Sequence, residues 1–198
     1  MGGFIPPFFI MNEKKYSEIF LTREHFDDLP DFSLPLAYSY RNYQFQDEEN
    51  WFRIYKASDN YNKVYSTTFR EYFGAEIKKL EQRQIYICNE EGLAVATATA
   101  WDDPNFLGES WGRVHWLAVH PDFQGRGLAK CLLSEVIKRL KECGHEKAYL
   151  RTYTMREKAI KLYLNFGFTP LVRSEEDEKI WRSLAKKLNH EKLATWRD

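Results

Sequence analysis

The sequence predicts one α/β domain built on a mixed sheet, and three observations carry that reading. The 198 residues give room for one substantial core with extra elements at the ends. Short β-leaning runs alternate along the chain with stretches of helical apolar spacing. No internal repeat or low-complexity linker interrupts the order. Mixed strands and helices in such a succession indicate helices packed on a sheet.

Residues 1–35 read as an N-terminal extension, its apolar first eleven residues a loose or docked tail. Pro6 stands where a myristoylation signal would want Ser or Thr, and Pro30 and Pro35 break regular structure further on. Residues 38–43 look like a strand, and Asp47 opens a helix carrying Trp51, Ile54 and Tyr55 at helical spacing. A second helical stretch over 66–73 ends at Gly74. Residues 85–88 and 93–101 read as paired strands around a turn at 89–92, the second a run of small residues that lets a neighbour approach closely. A loop over 102–108 precedes a strand over 113–119. From 126 to 143, Leu128, Cys131, Leu132, Val136, Leu140 and Cys143 trace one helical stripe, and Gly144 supplies the stop. Residues 148–152 form a further strand. Thr154 and Glu157 have capping-box spacing for a helix through Phe166, Gly167 ends it, and Phe168 starts a last strand. Residues 173–198 are a C-terminal extension with an amphipathic helix over 176–188.

Composition narrows the classes of partner. The 29 basic and 29 acidic side chains balance, so no net field steers the chain toward nucleic acid or an anionic membrane. Three cysteines without a C-x-x-C pair read as reduced core thiols, which implies a cytoplasmic setting. His and carboxylate positions show no zinc spacing, and no G-x-S-x-G or Cys/His constellation points to a covalent acyl-enzyme.

The most informative segment is residues 114–129, VHWLAVHPDFQGRGLA. A strand ends at Val119, His120-Pro121 turns the chain, and Gly125 and Gly127 precede a helix. Glycines there permit a tight turn and leave backbone N–H groups unshielded at a positive helix end, a receptor for phosphate or pyrophosphate. Arg126 and Lys130 stand at its rim. No Lys-Ser/Thr follows the glycines as in a P-loop, and Lys130 occupies the place of the small third residue of a dinucleotide fingerprint.

Gln124-x-x-Gly127-x-Ala129 after Leu117-Ala118-Val119 resembles the acyl-CoA-binding motif of the GCN5-related N-acetyltransferases (GNAT). Ala159-x-x-Leu162-Tyr163-x-x-x-Gly167-Phe168 resembles the family's second signature. The resemblance spans residues 36–172, the acyltransferase domain it implies; Arg156 departs from the Asn many members carry. It implies a single GNAT-like domain whose mostly antiparallel sheet is splayed at the acyl-CoA site. It also implies acetyl-CoA as co-substrate, without a metal. Main-chain groups of Leu117 and Val119 would then meet the pantetheine arm, an N–H near Leu117 would steady the oxyanion, and Gln124, Gly125, Arg126, Gly127, Leu128 and Ala129 would cradle the pyrophosphate. Tyr163 is the general acid by resemblance.

For the base, His115 is the candidate, because a residue two before Leu117 on a strand points to the same face. A structural histidine fits equally, Glu109 is an alternative, and His120 serves the turn. Tyr55, Tyr61, Tyr65, Asp59, Asp102 and Asp103 are the groups that would suit a cationic amine acceptor, small molecule or peptide. A homodimer is compatible with the resemblance. The expected reaction is direct transfer from acetyl-CoA to a primary amine in a ternary complex. The other reading is a non-catalytic acyl-CoA sensor.

Overall fold

A computed structural model describes residues 16–197; the apolar tail lies outside them. Seven strands hydrogen-bond in the order β2-β3-β4-β5-β6-β1-β7, an open mixed sheet. They are β1 (Glu18–Arg23), β2 (Tyr38–Asn42), β3 (Gln84–Asn89), β4 (Ala94–Phe106), β5 (Glu109–Val119), β6 (Ala148–Tyr153) and β7 (Thr169–Pro170). The helices are α1 (Glu48–Ser58), α2 (Thr68–Phe73), α3 (Ile77–Arg83), α4 (Leu128–Glu142), α5 (Glu157–Asn165) and α6 (Glu175–Leu188). Among the described residues no helix is long and apolar enough to cross a membrane. Two compact units divide the chain.

The first unit comprises residues 32–99 and 116–136. Its core forms around Trp51 of α1, whose ring meets Tyr55 at 4.5 Å, Trp116 at 4.9 Å and Phe69 at 5.4 Å. The small residues Ala94, Ala96 and Ala98 of β4 are buried, as are Val95 and Thr97 between them, so both faces of this stretch are covered. Asp47 organises the step from β2 to α1. Its carboxylate accepts from both Arg41 Nη atoms at 2.6 and 2.7 Å, from the Gln44 N–H at 2.6 Å and from Asn50 at 2.9 Å. Burial alone would raise its pKa, but these donors outweigh it and hold the carboxyl below its usual range.

The second unit comprises residues 16–31, 100–115 and 137–197. Here the structure departs from the expected extension, for Glu18–Arg23 is a full strand. β1 pairs antiparallel with β6 from Glu18↔Tyr153 to Arg23↔Ala148, and with β7 at Leu21↔Pro170 and Thr22↔Thr169. Ile19 and Leu21 are buried on it. The expected loop over 102–108 is also a strand for most of its length. β4 runs to Phe106, and the turn is Leu107-Gly108, both at positive φ (55° and 86°), the backbone a two-residue hairpin needs. Thr154 is not a helix cap. Arg156 occupies that position, while Thr154 Oγ1 accepts the Ser17 N–H at 3.3 Å. Ser174 does cap α6, accepting from Asp177 N–H at 3.1 Å.

β5 and β6 run parallel and register at Gly112↔Ala148 and Arg113↔Tyr149. Gly112 is there for contact: a Cβ on it would stand 2.9 Å from Leu140 Cδ2 and 3.2 Å from His145 Cγ. Leu140 is fully buried and has nowhere to retreat. Gly112→Ala is therefore expected to destabilise by about 1–3 kcal/mol through overpacking, read as a lower midpoint in thermal or urea unfolding; an unchanged midpoint would show that the contact yields freely.

Candidate functional site

The glycine segment lies in the first unit. Near its start Trp116 has φ 49°, a left-handed backbone unusual for a bulky residue and a local break in the strand. Two-residue alternation does not carry through such a break, so the same-face argument linking His115 to Leu117 loses its basis. Leu117 is half-buried, and Ala118 and Val119 are buried. His120 N–H donates to Val95 O at 2.8 Å, and the His120 ring accepts the Asp122 N–H at 3.4 Å, so His120 serves the turn.

Gln124 closes the segment on itself. Its N–H donates to Pro121 O at 3.1 Å, and its side-chain Nε2 donates to Val119 O at 3.1 Å. The chain then passes through Gly125 and Gly127 at φ 78° and 80° before α4 begins. Among the described residues, no protein acceptor takes the N–H groups of residues 125–130; the next, Cys131 N–H, reaches Gly127 O at 3.4 Å. Consecutive amides at the start of a helix of 15 residues carry the positive end of its dipole. Arg126 is braced beside them: it donates to Tyr38 Oη at 2.8 Å and Asp122 O at 3.1 Å, and lies 5.1 Å over the Phe123 ring. Lys130 Nζ rests 4.5 Å over Phe32, its stem beside Gly127. Leu128 is buried and Ala129 half-buried, so their side chains anchor the helix while the backbone remains available. This arrangement fits a phosphate-bearing ligand held by main-chain donors.

His115 and Tyr163 lie in the second unit. His115 is buried, and desolvation, aided by the charges of Arg113 and Arg151, holds its pKa well below the ordinary 6.5. The imidazole is neutral at physiological pH. Tyr163 is buried, its ring edge-on to Phe168 at 6.2 Å, and burial raises the phenol pKa against a smaller opposing effect of Arg156. It keeps its proton. Glu109 is an exposed carboxylate ion-paired to Lys147, which lowers its pKa and leaves it a weaker base.

The carboxylates expected to await an amine are engaged within the fold. Asp59 accepts the N–H groups of Tyr61 and Asn62 at 3.0 and 3.1 Å. Asp102 meets His145 Nε2 at 2.7 Å, and Asp103 accepts from Tyr149 Oη at 2.6 Å. A cleft of about 470 Å³ in the first unit, lined by Phe45, Glu48, Ser66, Phe69 and Arg70 among others, contains none of the residues singled out in the sequence. Sequence reasoning missed the left-handed Trp116, for which tryptophan gives no signal.

A model of the acetyltransferase (GNAT) family matches residues 38–168. The chain is 24% identical over 164 residues to an uncharacterized N-acetyltransferase of Methanocaldococcus jannaschii, covering 79% of this chain and 70% of that protein. It is 29% identical to the L-methionine sulfoximine/L-methionine sulfone acetyltransferase of Salmonella typhimurium, over 48% of this chain and 55% of the relative. Among solved structures, a GCN5-related N-acetyltransferase from Sphaerobacter thermophilus aligns with TM-score 0.65 at 18% identity, over 81% of this chain and 50% of that one. The ribosomal-protein-S18-alanine N-acetyltransferase of Escherichia coli aligns with TM-score 0.56 at 20% identity, over 68% and 79%. The chain thus spans about half the length of the Salmonella relative and of the Sphaerobacter structure.

Gly125→Ala is expected to cost about 1–2 kcal/mol, because no neighbour would touch the new Cβ and only the left-handed backbone is strained. If the loop amides hold a phosphate-bearing ligand, calorimetry with coenzyme A should show weaker binding as those amides turn away. For His115 the sign follows from its lowered pKa: below about 6.5 the unfolded chain binds a proton that the fold refuses, so stability declines as pH falls. His115→Gln removes that component, so the drop between about pH 7 and pH 5 should be shallower in urea unfolding.

Proposed function

The chain belongs to the acetyltransferase (GNAT) family, and from that premise we propose that it transfers an acetyl group from acetyl-CoA to a primary amine by direct attack in a ternary complex. The observation that carries this is the row of main-chain N–H groups over 125–130, with no protein acceptor among the described residues, at the start of α4. A diphosphate answers both their hydrogen-bonding need and the dipole behind them. Gln124 acts by holding the loop to Val119 O, so its side chain is a brace rather than a ligand. Leu117 and Val119 are the strand positions we assign to the pantetheine arm, next to the left-handed Trp116.

The reaction has a proton to remove and a proton to deliver. An alkylammonium has a reference pKa of about 10.4, and it attacks the thioester carbonyl only as the free amine. As the C–N bond forms and the C–S bond breaks, the sulfur leaves as a thiolate that takes up a proton. Tyr163, which keeps its phenolic proton, is the acid we assign to that step from its place in the second signature. His115 is neutral and able to accept a proton, but a group held well below 6.5 is a feeble base for an ammonium. We therefore give it a water-relayed share of the proton at most. None of the three cysteines is in a disulfide among the described residues, which supports a reducing, cytoplasmic setting. The comparisons include proteins named for amino-acid derivatives and for a ribosomal protein's alanine, so they support amine acceptors of both sizes.

Release of free thiol from acetyl-CoA on adding an amine panel tests the reading. Tyr163→Phe should lower kcat about 10²–10⁴-fold with little change in KM for acetyl-CoA. Coenzyme A binding without turnover on any amine would instead identify a sensor.

A further inference from the structure

The cleft of about 470 Å³ in the first unit takes no part in the transfer reading, and its lining combines aromatic rings with charges of both signs. Among these residues Phe69 is buried and braced by three other rings: Tyr43 is stacked with it at 6.1 Å, Phe73 meets it at 5.0 Å and Trp51 at 5.4 Å. Phe45 is its opposite, 86% exposed and without a ring partner among the described residues. The next residue, Gln46, also lines the cleft and sits at φ 74°, a left-handed backbone that a non-glycine residue rarely takes. Strain of this kind concentrates at ligand sites.

Glu48 and Glu49 of α1 and Arg70 of α2 supply the charges. Glu48 accepts the Tyr43 hydroxyl at 3.1 Å through one oxygen and keeps the other. Burial, and after it the charge of Glu48, raises the Tyr43 phenol, which stays a proton donor to that carboxylate. The side chains of Glu49 and Arg70 have no hydrogen-bonding or ionic partner among the described residues, so the opposite charges do not pair across the cleft. Water alone serves an isolated surface charge. Here both signs, an exposed ring and a strained residue converge on one cavity, whose volume lies within the range of small-ligand sites, about 300–1,000 Å³.

We propose that this cleft binds a small zwitterion with an aromatic or apolar body, the class to which the larger free amino acids belong. The ligand's carboxylate meets the Arg70 guanidinium, whose forked donors match two oxygens. Its ammonium meets Glu48 and Glu49, and its apolar body packs against Phe45 and Phe69. The site is built wholly within one unit and stands apart from the transfer reading.

Calorimetry on the full chain tests it with three probes: L-phenylalanine, L-phenylalaninamide, which lacks the carboxylate, and 3-phenylpropionate, which lacks the ammonium. No acetyl-CoA is added, so the outcome does not hinge on transfer. Phenylalanine should bind more tightly than either analogue by about ten-fold or more, the usual scale for one charged hydrogen bond. Arg70→Gln should weaken phenylalanine to the level of its amide and leave the amide unchanged, and Arg70→Lys should restore part of the loss. The double change Glu48→Gln, Glu49→Gln should weaken phenylalanine and its amide alike and leave 3-phenylpropionate unchanged. An unchanged urea midpoint in each variant, as expected for changes at the surface, separates lost binding from lost folding. Equal affinity for phenylalanine and its amide, no binding at about 10 mM ligand, or binding that survives both Arg70→Gln and the double change overturns the proposal.

Discussion

The first amides of α4 set the terms for the rest of the site. A helix cannot satisfy its own first N–H groups, and the usual remedy is a side-chain cap. Here the chain enters the helix through Gly125 and Gly127, and among the described residues the N–H groups of 125–130 meet no backbone acceptor, at the positive end of a long helix. The neighbouring residues keep it so. Gln124 ties the loop back to Val119, His120 fastens the turn to Val95, and Arg126 is braced on Tyr38 and Phe123. Rigidity around unmet donors is what would fit a backbone to receive an anion.

Legibility in the sequence followed how local each cause is. The loop could be read because glycine's freedom, a helix start and an apolar stripe are all encoded within a few residues. Gly144 as the stop of α4 belongs to the same class, at φ 88°. β1 was hidden because its strand character comes from β6 and β7, far along the chain, and Pro30 and Pro35 nearby suggested irregular structure. The hairpin at Leu107-Gly108 was hidden by Leu107, a residue that rarely takes positive φ, while Asp102-Asp103-Pro104-Asn105 mimicked a loop. Thr154 shows the reverse error: correct spacing for a cap, spent on a bond to Ser17 instead.

The chemical groups sort themselves by environment. Tyr163 and His115 are both buried, yet burial acts on them oppositely in effect: it keeps the phenol protonated and the imidazole bare. Guanidinium side chains, by contrast, never titrate in this range and keep their charge. The expected carboxylates Asp59, Asp102 and Asp103 could not be judged from sequence, since their engagement depends on partners brought up by folding. Asp102 and His145 lie 43 positions apart in the chain.

The place of β1 bears on how this protein can be handled. The family model's match begins at residue 38, and a gene trimmed to that boundary would lack a strand seated between two others. It would also lose Arg23, whose guanidinium donates to the carbonyls of His25, Asp27 and Phe166, the last being the residue that closes α5. Shortened versions would then shed a seam of β6 and the stopper of a helix at once, and insolubility in such pieces would reflect the cut and not the enzyme.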